Sequence, residues 1–125
     1  MDAAQALGEL MELSSQITAA VVLDAEGTVL ASSSDDPASF AASMLELVAA
    51  AVDLGGDGRD VTRVEVELDE GAVFVVRAGG HTVAATTGPS PTSGLVVYDL
   101  RTCVQAIERP EPKKSRARKA KGPAE

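Results

Sequence analysis

Apolar residues recur at Ala3, Ala6, Leu7, Leu10, Leu13 and Ile17, with Gln5, Glu9, Glu12 and Gln16 between them. That spacing predicts a first helix over residues 2–17 that packs on one face only. The segment from Thr18 to Asp24 is short, apolar and partly β-branched; Ala25-Glu26-Gly27 follows, then Thr28 to Ser33. Two such runs around a glycine-containing loop predict a hairpin. Its first strand is apolar on both faces, the mark of a central or covered strand.

Asp36 and Pro37 supply the start of a second helix, an acidic N-cap followed by proline at the first helical position. This helix runs to about Asp53 and stops at Gly55-Gly56, and residues 55–60 form a polar loop. Three strands follow. Val64, Val66 and Leu68 alternate with Arg63, Glu65 and Glu67 over residues 61–68; a turn at Asp69-Glu70-Gly71 leads to residues 72–78, and Gly79-Gly80-His81 leads to residues 82–87. Thr92 or Ser93 caps a last helix to about Glu108, with Val96, Leu100, Cys103, Val104 and Ile107 on one side. The predicted order is α-β-β-α-β-β-β-α, a mixed α/β (α+β) domain over residues 1–108.

The middle helix carries more apolar surface than one sheet face needs. At about 100° per residue, Phe40, Met44, Leu45, Leu47, Val48 and Val52 spread over roughly 160°, and Ala41, Ala42, Ala49 and Ala51 widen the uncharged arc to about 220°. A helix lying on a sheet needs an apolar stripe of little more than about 100°. The simplest cover for the excess is a second copy of the same helix across a two-fold axis, with the alanines allowing close approach. The alternative is a helix buried wholly within one chain.

Charge divides the chain. Residues 1–108 hold four arginines against seventeen acids, a net of −13, whereas residues 109–125 hold seven Lys or Arg against two acids, a net of +5. The acidic body disfavours nucleic acid. The basic tail, with Lys113, Lys114, Arg116, Arg118, Lys119 and Lys121, has no hydrophobic periodicity and is expected to be disordered. It offers a candidate anion contact, but no aromatic residue for base stacking and no apolar face for membrane insertion. A single cysteine excludes an intrachain disulfide, in keeping with a reducing, cytoplasmic setting. No run of about 18 continuous apolar residues suggests a membrane span, and residues 1–5 do not read as a leader.

Catalytic chemistry has little to build on. His81 is the sole histidine, in a turn context beside two glycines and with no adjacent nucleophile. Cys103 lies on an apolar stripe, the setting of an inert thiol. Asp53-Leu54-Gly55-Gly56-Asp57-Gly58 starts like a calcium loop, but its twelfth position is Val64 rather than the bidentate glutamate. Residues 88–94 precede a helix without the Gly-Lys-Ser/Thr ending of a nucleotide loop. The expectation is no metal, no cofactor and no enzyme.

Several segments together carry a family resemblance: ITAAVVLDAEGTVLASS with its Asp-x-x-Gly turn, SMLELVAAAVDLGGDG, VTRVEVELDEGAVFVV and TTGPSPTSGLVVYDLRTCVQAI. They resemble the Roadblock/dynein light chain 7 family, as a bacterial stand-alone member. The resemblance implies a profilin-like domain with a five-stranded antiparallel sheet between helices. It also implies homodimer contact through the second helix and third strand, here residues 38–52 and 61–68. Taken with the wide apolar arc, it places Phe40, Ala41, Met44, Leu45, Val48, Ala51, Val52, Arg63 and Glu65 at that contact. The function implied is a non-enzymatic scaffold that binds or regulates a small Ras-like GTPase. Two rival readings are a small-molecule-sensing module and an anion- or nucleic-acid-binding adaptor acting through the tail.

Overall fold

Helix starts are set by short polar residues. Asp2 Oδ1 accepts from the Gln5 amide at 2.8 Å, and Asp36 Oδ1 accepts from the Ser39 amide at 3.2 Å. Thr92 holds the corresponding place before the last helix, its carbonyl accepting from the Leu95 and Val96 amides. In a computed structural model that describes residues 1–55 and 61–108, the order is α1 (Ala3–Leu13), β1 (Ile17–Leu23), β2 (Val29–Ser32), α2 (Pro37–Gly55), β3 (Arg63–Leu68), β4 (Gly71–Ala78), β5 (His81–Thr87) and α3 (Ser93–Glu108). The expected loop over residues 55–60 and the tail beyond Glu108 lie outside the described residues, apart from Gly55 at the end of α2.

One boundary differs materially from the expectation. The first helix ends at Leu13, not near Ile17, because the Ser14 amide closes it on Leu10 O at 2.9 Å and Ser14 itself is extended. Ser14-Ser15 interrupts the helix with side chains that compete for backbone hydrogen bonds. Ile17 instead opens β1 opposite Thr87.

The strands form one antiparallel sheet in the order β2-β1-β5-β4-β3. Period-two alternation divides its side chains between two cores. Ala20, Val22, Phe74, Val76, Val83 and Ala85 face α1 and α3, where Leu7, Leu10, Val96, Leu100 and Val104 meet them. Val21, Leu23, Val75 and Ala84 face α2, where Ala41, Met44 and Val48 meet them. The two-sided apolarity of β1 thus reflects a strand covered by helices on both faces. The hairpin turn between β1 and β2 is held by Asp24, whose Oδ1 accepts from the Glu26 and Thr28 amides at 2.9 Å each, while Gly27 takes a φ of 86°.

Candidate partner-binding surface

The α2 layer is one helix on a five-stranded sheet, and it leaves apolar surface on both sides of its buried line. Ala41, Met44 and Val48 are sealed against the chain's own sheet. Phe40 and Leu47 are half-buried at the margin of that core, against which Val29, Val64 and Val73 also pack. Leu45 is 39% exposed, Val52 38% and Leu54 89%. Ala42, Ala49 and Ala50 are exposed and Ala51 half-buried, so the uncovered part of the helix is small as well as apolar. Leu45 lies over the hairpin turn: a Cβ added to Gly27 would stand 3.0 Å from its Cδ1.

β3 lies at the sheet edge and pairs only with β4 among the described residues. Its Val64 and Val66 are half-buried and Leu68 is 58% exposed, on the same face as α2. Arg63, Glu65 and Glu67 pair with Val76, Phe74 and Ala72 and so point toward the α1/α3 layer. There Glu65 Oε2 accepts from Ser93 Oγ at 2.7 Å. A carboxylate at the first residue of α3 also meets the positive end of its dipole.

Of the nine residues expected at a contact, Phe40 and Ala51 therefore lie along one side of the buried line of α2 and Leu45 and Val52 along the other. Ala41, Met44 and Val48 form that line from within. Arg63 and Glu65 occupy the edge strand but present their side chains to the other layer. Leu47, Leu54, Val66 and Leu68, which were not among the nine, are also apolar and at least partly exposed. The alternation of β3 carried the signal for the last two. The anion-contact candidates Lys113, Lys114, Arg116, Arg118, Lys119 and Lys121 lie outside the described residues.

The window Pro37–Leu54 of α2 averages a hydropathy of 1.4 over 18 residues and is 17% buried. By length and composition alone that is enough to cross a membrane, although no continuous apolar run of that length occurs in it. Within it, Ser39, Ser43, Glu46 and Asp53 interrupt the apolar surface, and its central stripe packs on the sheet.

At one end of the sheet, an open depression of about 400 Å³ lies between Leu45, Val48, Asp24, Arg77 and His81. Arg77 is held there by its Nη1 donating to Val61 O at 3.3 Å. His81 is the first residue of β5, and its buried Nδ1 has no partner among the described residues. No group of three or more metal-ligating side chains occurs among the described residues. Cys103 is buried, and its thiol is pushed up to about 11, by burial first and then by the charge of Glu9.

Comparison with curated protein sequences finds no match. Among solved structures, the chain is similar to a Roadblock/LC7 domain from Streptomyces avermitilis at 30% identity and a TM-score of 0.68, covering 86% of this chain and 95% of that one. It is also similar to the gliding protein MglB from Thermus thermophilus at 19% identity and a TM-score of 0.70, covering 86% of each. LokiProfilin2, solved in a complex with rabbit actin, shares the fold at 11% identity and a TM-score of 0.61, covering 83% of this chain and 93% of that one. A family model, the Roadblock/LC7 domain, matches residues 4–87. With a match that takes in α1, α2 and the whole sheet, the chain belongs to the Roadblock/LC7 family.

Proposed function

We propose that this chain is a non-enzymatic, cytoplasmic homodimer that serves as a docking platform, and that a small Ras-like GTPase is the class of partner it regulates. The observation that carries self-pairing is the uncovered apolar surface of α2 on the same sheet face as Val64, Val66 and Leu68 of β3, an edge strand that pairs only with β4 among the described residues. Two copies related by a two-fold would pack α2 on α2 through Phe40, Leu45, Ala51 and Val52, while the β3 backbones, including Arg63 and Glu65, continue the sheet. Family membership supports the regulatory role.

Leu45→Asp tests it. A charge placed in the contact has no partner there and strongly disfavours pairing. The expected result is a folded monomer that no longer changes the nucleotide-hydrolysis rate of a GTPase co-purified with the native protein. A Leu45→Asp dimer as tight as the native one would contradict the reading.

A second reading, small-molecule sensing, is favoured by the depression beside Arg77 and His81. A thermal-shift screen of metabolites against the native chain and Arg77→Ala separates the two. Stabilisation that Arg77→Ala abolishes supports a sensor.

A further inference from the structure

Beyond Val75 and Ala84, the sheet face that α2 covers continues for one more cross-strand pair, Arg77 on β4 opposite Thr82 on β5. That pair belongs to the lining of the open depression of about 400 Å³, together with Leu45 and Val48 from α2 and the hairpin turn that holds Asp24 and Glu26. Leu45 is set close over Gly27 and makes an apolar wall. On another side the lining is the Gly79-Gly80 turn, where even an added Cβ on Gly80 would meet nothing within 4 Å. The mouth there is bare backbone.

The polar groups of this lining carry both signs. Arg77 is half-buried, and among the described residues its guanidinium makes one hydrogen bond, from Nη1 to Val61 O at 3.3 Å. Most of its donors are left for a ligand, in a fork that matches a carboxylate. Asp24 Oδ1 is committed to the turn amides, and Glu26 is exposed at the tip of the same turn. Within the described lining, one arginine therefore faces two carboxylates. A phosphate dianion meets a net negative site, and a polyamine meets the charge of Arg77. A small molecule with one carboxylate and one ammonium answers both signs at once. Leu45 and Val48 add a place for an aliphatic group, and a volume near the low end of ligand pockets suits a ligand of few atoms.

We propose that this depression binds a free α-amino acid with an aliphatic side chain. The carboxylate is held by Arg77, the ammonium is drawn to the Asp24–Glu26 turn, and the side chain lies against Leu45 and Val48. The inference rests on the small-molecule reading of the same depression and gives it a ligand class.

Isothermal titration of the full native chain compares L-leucine with isocaproate, which lacks the ammonium, and isoamylamine, which lacks the carboxylate. The expected result is saturable binding of leucine, with each analogue at least about tenfold weaker for the loss of one charge-assisted contact. Glu26→Gln, a change at an exposed turn, should weaken leucine and leave isocaproate unchanged. Arg77→Ala should weaken leucine and isocaproate together. The analogue comparison needs only the native chain, so it decides the matter even where Arg77→Ala fails to fold. Isocaproate binding as tightly as leucine reduces the site to a carboxylate pocket and overturns the amino-acid assignment. Absence of leucine binding at millimolar concentrations overturns it too. A thermal-shift response to another metabolite, abolished by Arg77→Ala, then leaves the sensing reading standing, whereas a metabolite panel without any response removes both.

Discussion

Gly71 and Phe74 show how little slack β4 has. A Cβ at Gly71 would drive into the Thr87 carbonyl oxygen across the strand pair, a backbone atom that cannot rotate away. Gly71→Ala should therefore cost about 1–3 kcal/mol by overpacking, checked by chemical denaturation. Phe74 is the largest fully buried side chain among the described residues, in a core otherwise built from Val, Leu, Ala, Ile and Cys103. Phe74→Ala is expected to remove about 3–5 kcal/mol, enough to leave a domain of this size largely unfolded. Cys103 adds a pH dependence. Its folded thiol keeps its proton up to about 11, whereas the unfolded thiol releases it near 9.0. Across that window the unfolded state binds fewer protons, so this group's contribution to stability falls as pH rises through it and then levels off. Urea titrations between those pH values should show a steeper fall for the native chain than for Cys103→Ala, and parallel curves would contradict the assignment.

At the scale of elements, caps and periodicity were legible and the limits of covering layers less so. Asp36-Pro37 gave the start of α2, and Asp36→Ala should cost about 1 kcal/mol, read as a lowered denaturation midpoint. The alternation of β3 and the Asp24–Gly27 turn were equally plain. The end of α1 was not, because Leu13 and Ile17 keep helical spacing while belonging to different elements. Only the Ser14 cap and the pairing of Ile17 with Thr87 decide between them. Nor does local pattern reveal that Glu65 crosses to Ser93, a partner 28 residues away. Glu65→Ala should lower stability by about 1 kcal/mol through that charge-assisted bond and the helix terminus it serves.

At the scale of the molecule, one fact organises the rest: α1 and α3 share one face of the sheet, and among the described residues α2 alone covers the other. The excess apolar arc of α2 was readable from residues 37–53, but its division was not. Which residues seal the monomer and which stay open depends on how the helix lies on β1, β4 and β5. Val48 illustrates the point, since it was expected at a contact and is 8% exposed; Val48→Asp should abolish folding, whereas Leu45→Asp should abolish pairing alone. Sedimentation equilibrium of the native chain beside Leu45→Asp tests self-pairing most directly. The account predicts twice the 12.8 kDa of one chain for the native protein and a single-chain mass for the folded variant. A native protein that sediments as one chain throughout the micromolar range would contradict it.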